Sequence, residues 1–242
     1  MGPCQMNGRL YGVGLGPGDP ELMTLRAHRL ISSARVIAYP APDSGESFAR
    51  SIAAGAIPSD ATEIPMIVPM RVERFPAQEV YSEAASQISE HLKTGTDVVV
   101  LCEGDPFFYG SFMYLFARLA DAFDVEIVPG VSSLAGCTAA MQRPLVARND
   151  ILTVLPGPLS DEDLATRIDA SEAVAIMKVG RHLPRLRDLI ARLNLTPNAA
   201  YVERASLPNQ QVMPLSEAPE TAPYFSMILI SKGSDPWLNQ PQ

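Results

Sequence analysis

The chain has 242 residues, of which 47% are hydrophobic and 19% charged; this is the balance of a soluble globular protein long enough for one large or two modest α/β domains. Nineteen basic against twenty-seven acidic side chains leave a net charge of −8, which argues against a general nucleic-acid binder and still allows an anionic small molecule held by a local arginine cluster. No apolar run approaches the roughly 20 residues that cross a bilayer, and the N-terminus lacks the basic start and apolar core of a signal peptide and the Ser or Thr of a myristoylation motif, so the expected compartment is the cytoplasm.

Three cysteines are too few and too scattered for a disulfide framework or a thiolate metal site, and the three histidines show no ligand spacing, so no protein-bound metal is expected. In chain order, residues 9–15 read as a short strand that turns glycine-rich, and residues 21–31 as a helix. Residues 34–39 form a second strand, 47–55 a helix, and 62–68 an extended piece interrupted by Pro65. Arg71 and Arg74 stand in a proline-flanked segment. Residues 78–93 are an amphipathic helix with Val80, Ala84, Ile88 and Leu92 on one stripe. Val98 to Leu101 is a buried strand that breaks at Cys102-Glu103-Gly104-Asp105-Pro106, and beyond it Phe107, Phe108, Phe112, Tyr114, Leu115 and Leu119 suit a helix packed on a sheet.

Residues 125–128 are another strand, followed by Pro129-Gly130-Val131-Ser132-Ser133 and a small-residue helix to Met141. This alternation predicts a mostly parallel sheet in an N-terminal domain over 8–142. Residues 143–149 are unperiodic and make the linker candidate. A second α/β domain is expected over 150–232, with strands at 151–155, 173–177, 199–202 and 225–230, helices at 161–170 and 183–193, and a tail over 233–242.

The glycine-rich loop Gly14-Leu15-Gly16-Pro17-Gly18-Asp19 must be tested as a dinucleotide site. In one frame Pro17 falls at the third glycine of G-x-G-x-x-G and in the other Asp19 does, so a Rossmann NAD site is not supported; no Gly-Lys-Ser/Thr follows, so neither is a Walker loop. On its own, Gly104-Asp105-Pro106 reads equally well as an ordinary βα turn or as a ligand loop at the carboxyl end of a parallel sheet.

Taken together, the loops 14–19, 104–106 and 129–133, in that order and spacing, resemble the S-adenosylmethionine-dependent tetrapyrrole methylases. Met177-Lys178-Val179-Gly180-Arg181 and Val202-Glu203-Arg204-Ala205-Ser206 are similar to that family's later motifs, and the likeness runs from about Leu10 to Lys232. Within the family, the stretches 103–111 and 177–181 are most similar to the subgroup that methylates C20 of precorrin-2 in cobalamin biosynthesis; a related subgroup takes the cobalt-containing substrate. The resemblance implies two α/β domains around a cleft, a homodimer, and S-adenosylmethionine as methyl donor.

By the same resemblance Pro17, Glu103, Gly104, Asp105, Phe108, Ser132, Ser133, Met177, Ala205 and Ser226 are the donor-binding positions, with Asp105 a ribose partner. The second serine, Ser133, departs slightly from the family's usual Thr-Ala or Ser-Ala pair. The C20 carbon of a reduced tetrapyrrole is enamine-like and the donor is already a strong electrophile, so alignment and exclusion of water suffice. No side chain is assigned as general base. A polycarboxylate substrate on an acidic protein calls for gathered cations, and Arg71, Lys178 and Arg181 are the candidates; Arg143 and Arg148 are weaker ones, and Tyr109 could lie on the macrocycle face. A tetrapyrrole carrier without chemistry is the alternative from another class.

Overall fold

Val98-Val99-Val100-Leu101-Cys102 is apolar at every position and cannot tolerate water on either side. In the computed structural model, which describes residues 7–68 and 75–233 (side chains of 75–77 excepted), it is the buried middle strand of a five-stranded sheet. Strands β1 (Leu10–Gly14), β2 (Val36–Ala41), β3 (Thr62–Ile67), β4 (Val98–Cys102) and β5 (Val125–Val128) lie in the order β3-β2-β4-β1-β5. All four pairings are parallel. Side chains alternate across β4: Val98, Val100 and Cys102 pack with helices α3 (Phe75–Lys93) and α4 (Phe112–Leu119), whereas Val99 and Leu101 pack with α1 (Leu25–Ser32) and α2 (Phe48–Ala53). Pro65, which removes a ladder donor, is tolerated because β3 is the edge strand.

Neighbouring β1 and β4 therefore pass the chain to helices on opposite faces, α1 on one and α4 on the other. That is a topological switch point, the place where an open α/β sheet leaves a crevice beyond its carboxyl ends.

A second unit begins at Ser133. It contains α5 (Ser133–Met141), β6 (Leu152–Pro156), α6 (Asp161–Asp169), β7 (Ala173–Met177), α7 (Leu183–Arg192), β8 (Ala199–Glu203), β9 (Gln211–Pro214) and β10 (Ser226–Ser231). The sheet order is β6-β7-β10-β8-β9; β6 runs parallel to β7, and the remaining pairs are antiparallel. One face carries α6 and α7, and the other packs Cys137 of α5 with Ala175, Val202 and Leu229.

The structure departs from the sequence reading at four places. The first unit ends at Ser132, and the linker candidate 143–149 lies inside the second unit because Leu145, 6% exposed, anchors it to the α5 face of the sheet. The helix expected over 21–31 is split: Asp19 caps a 3-10 turn over Pro20–Leu22, and the Thr24 hydroxyl then accepts the Ala27 N–H at 3.1 Å to start α1. The helix expected from Phe107 starts only at Phe112. Strand β9 was not expected at all, because four residues ending in proline carry no alternation.

Candidate functional site

Three loops meet at the carboxyl ends of β1, β4 and β5. Gly16 and Gly104 form an antiparallel bridge, with Gly104 N–H donating to Gly16 C=O at 2.8 Å and Gly16 N–H donating back to Gly104 C=O at 3.2 Å. Gly104 has φ 63°, a left-handed conformation that costs a side-chain-bearing residue. The third loop closes so tightly that a Cβ on Gly130 would lie 2.0 Å from the Gly104 carbonyl oxygen and 2.8 Å from the Gly14 Cα. A Cβ on Gly14 would meet Gly130 N at 2.5 Å. Glycine is required here because backbone touches backbone.

Asp105 fastens this arrangement. Its Oδ1 accepts the N–H groups of Phe107 at 2.9 Å and Phe108 at 3.0 Å, and its Oδ2 accepts the Gly130 N–H at 3.1 Å. The first two bonds wind residues 105–108 into a tight turn, which is why α4 cannot begin at the proline. Tyr109 then adopts φ 58° and Gly110 packs against the Pro106 carbonyl, where a Cβ would come within 2.4 Å. Phe107, Phe108 and Tyr109 are left exposed, with Phe108 and Tyr109 edge-to-face at 5.4 Å.

Pro17 is half-buried beside Gly16, and Ser132 is half-buried in the β5 loop. Glu103 sits between the buried strand and the turn. Burial pushes its carboxyl above the ordinary range, against backbone hydrogen bonds from its own residue and Ala49 that pull it down. Burial first, and then the neighbouring Glu103 charge, push the Cys102 thiol well above its usual range, so it packs as an inert apolar group.

In the second unit several of the remaining candidates collect at one end of the inner strands β7, β10 and β8. Met177 ends β7, Ser226 begins β10, and Glu203, the register partner of Ser226, ends β8. The Met177 carbonyl accepts the Gly157 N–H at 2.7 Å, and the buried Ser226 hydroxyl donates to the Pro223 carbonyl at 2.8 Å. Ala205 is buried just past β8, between Arg204 (φ 50°) and Ser206 (φ 67°). Lys178, exposed and with φ 56°, follows Met177 directly; Arg181 is exposed on the 3-10 turn before α7, and Ser133 starts α5. Burial pulls His182, on the same turn, below the usual histidine range, and the Arg181 and Arg185 charges add to this.

Of the expected site residues, the first unit thus brings together Pro17, Glu103, Gly104, Asp105, Phe108, Tyr109 and Ser132, and the second Met177, Lys178, Ala205 and Ser226. Arg71 lies outside the described residues. Arg143 and Arg148 stay exposed in the loop after α5. Sequence reasoning placed Glu203 within the 202–206 motif without a role and did not single out Tyr201. The Tyr201 hydroxyl donates to Glu203 at 2.7 Å, and Glu203 pairs with Arg204 at 2.6 Å. The signal was available: a tyrosine and a glutamate two apart on a strand share a face. Burial, then the bond to Glu203, push the Tyr201 phenol above its normal range. Among the described residues no group of three His, Cys, Asp or Glu is placed to hold a metal ion, and no helix is long and apolar enough to cross a membrane.

The profile of the Tetrapyrrole (Corrin/Porphyrin) Methylases matches residues 9–219. The chain belongs to that family. It is 40% identical over 237 residues to the precorrin-2 C(20)-methyltransferase of Sinorhizobium sp, covering 94% of this chain and 97% of the relative. It is 30% identical over 232 residues to the cobalt-precorrin-2 C(20)-methyltransferase of Salmonella typhimurium, covering 94% and 98%. The fold matches uroporphyrin-III C-methyl transferase from Thermus thermophilus, solved with S-adenyl homocysteine, at TM-score 0.67 and 24% identity over 93% of this chain and 98% of that one. In this tetrapyrrole methylase, the glycine platform packs the ends of β1, β4 and β5 backbone to backbone at the switch point.

Proposed function

We propose that this methylase transfers a methyl group from S-adenosylmethionine to C20 of precorrin-2, giving precorrin-3A in cobalamin biosynthesis. The observation that carries this reading is the 40% identity to a precorrin-2 C(20)-methyltransferase across nearly the full length of both chains. When bound, S-adenosylmethionine supplies an electrophilic methyl group on a sulfonium. The chain's own residues bind and orient. Pro17, Glu103, Gly104, Asp105, Phe108 and Ser132 are the donor contacts of the first unit, and Ser133, Met177, Ala205 and Ser226 those of the second. Asp105 fastens the surrounding backbone through three amide bonds, and its Oδ2, which accepts only one of them, keeps a lone pair for the donor's ribose.

Lys178, Arg181 and Arg71 bind the substrate's carboxylates, and Tyr109, held outward by its left-handed backbone, lies against the macrocycle. The chain works as a cytoplasmic homodimer. Incubation with precorrin-2 and methyl-labelled donor should place the label on C20; label at another ring carbon would overturn the assignment, and no transfer with intact binding would favour a carrier. The likeness to the Salmonella relative favours a second reading, methylation of the cobalt-containing substrate. Supplying metallated and metal-free substrate in parallel separates the two.

A further inference from the structure

The carboxylate of Glu203 has no place in the chemistry above, yet the residue is 5% exposed at the end of a strand whose surroundings are apolar. An acid so placed is unfavourable unless its oxygens are satisfied. Here they are: Oε2 accepts the Tyr201 hydroxyl at 2.7 Å, and Oε1 accepts the Arg204 guanidinium at 2.6 Å. Two consequences follow from what those partners are attached to. Arg204 and Ser206 flank Ala205 on either side, and both sit in the left-handed region that side-chain-bearing residues rarely adopt. Such a backbone persists only where its surroundings over-determine it. The ion pair to Glu203 fixes Arg204, the Arg204 N–H donates to the Phe225 carbonyl at 2.9 Å, and the Ser206 N–H donates to Gln210 Oε1 at 2.7 Å. On the other side, Ser226 is the direct register partner of Glu203 on the neighbouring strand β10.

We infer that Glu203 is a positioning residue for the methyl donor: through Tyr201 and Arg204 it holds the 204–206 turn and Ser226 in the shape that the donor's contacts at Ala205 and Ser226 require. The inference rests on the reading of those two positions as donor contacts. Rigid support of this kind is what keeps a binding group within the fraction of an ångström that affinity demands.

The test is calorimetric binding of S-adenosylhomocysteine together with steady-state kinetics on the wild type, Glu203→Gln and Arg204→Met. Glu203→Gln keeps the shape and an acceptor for Tyr201 and removes the ion pair. Both variants should raise the S-adenosylhomocysteine Kd and the S-adenosylmethionine KM by roughly tenfold, short of the ~100-fold that a 1 Å displacement of a reacting group costs. kcat should fall less than KM rises, and the tetrapyrrole KM should not move. A folded Glu203→Gln with lower Tm and unchanged cofactor affinity overturns the inference. If that variant does not fold, Arg204→Met, which leaves the Tyr201–Glu203 bond in place, is read by the same criterion. A wild type that fails to bind S-adenosylhomocysteine, or an Ala205→Leu variant that binds as tightly as the wild type, overturns the donor reading itself and the inference with it.

Discussion

Asp105 holds Gly130 across the end of the intervening strand β1: its Oδ2 accepts the Gly130 N–H at 3.1 Å, while Oδ1 accepts Phe107 and Phe108. One side chain therefore joins the β4 and β5 loops, and losing it orphans three amide donors. Asp105→Ala should lower stability by about 2–3 kcal/mol, since each charge-assisted bond is worth about 1.5–3 kcal/mol when buried and less when water can replace it. It should also weaken S-adenosylhomocysteine binding by at least about tenfold, because the loops lose their shape. Denaturant melts and calorimetry on the same preparation measure both; loss of affinity at full stability would make Asp105 a ribose contact only.

A methyl group separates the platform glycines from glycines that merely end helices. Gly130→Ala would place its Cβ 2.0 Å from a backbone oxygen that cannot swing away, so the loops must part. A cost of about 3 kcal/mol or more is expected, in the upper range for overpacking. Gly55→Ala meets nothing within 4 Å and should be neutral, or stabilising by up to about 1 kcal/mol, by restricting the unfolded chain. Equal Tm values for the two variants would contradict the close packing of the platform.

Glu103 should leave a signature in the pH dependence of stability. Burial raises its carboxyl pKa in the folded chain, so this group favours folding while protonated, and its contribution is lost as pH rises through the folded value. Asp161, lowered by its bonds to Arg185 and Arg192, acts in the opposite sense, its stabilisation fading as pH falls. Comparing the wild type with Glu103→Gln cancels Asp161 and isolates Glu103. The variant should gain on the wild type as pH rises from the ordinary glutamate range through the raised folded value, and keep that gain above it, read as a growing difference in Tm. A gap that stays constant with pH would show that Glu103 carries no penalty.

For the substrate, Lys178→Ala and Arg181→Ala should each raise the tetrapyrrole KM by roughly tenfold, the loss of one charge-assisted carboxylate contact of about 1.5 kcal/mol, with the S-adenosylmethionine KM untouched. Both side chains are exposed, so Tm should hold. A rise in the cofactor KM instead would move these cations to the donor's side of the site.

The first sheet was legible because its strands carry their own punctuation. Val98 to Leu101 is apolar at every position, and Gly-Asp-Pro can hardly be anything but a strand end. The start of α4 was not legible: Phe107 and Phe108 fit a helical stripe, and only the reach of Asp105 to their amides diverts them into a turn. Leu145 likewise hid the unit boundary, because a single buried leucine in a proline-marked loop is invisible to periodicity. Among candidate site residues, Gly104 came from the family resemblance, because glycine spacing in the 14–19 loop fitted neither phosphate-binding fingerprint. The Tyr201–Glu203–Arg204 arrangement is local to the end of β8, and only its placement beside Ser226 and Phe225 needs the β8–β10 register, which sequence spacing does not give.

The register of Gly14, Gly104 and Gly130 also bears on the order of events during synthesis. β1 emerges first, but both its neighbours, β4 and β5, come far later in the chain. Pairings this distant in sequence are slow to form. A chain that ends before Val125 therefore holds a strand with one vacant edge and a carboxylate, Asp105, without its far partner Gly130. The glycine platform of the first unit takes its shape only when β5, the last of the five strands to be made, docks beside β1.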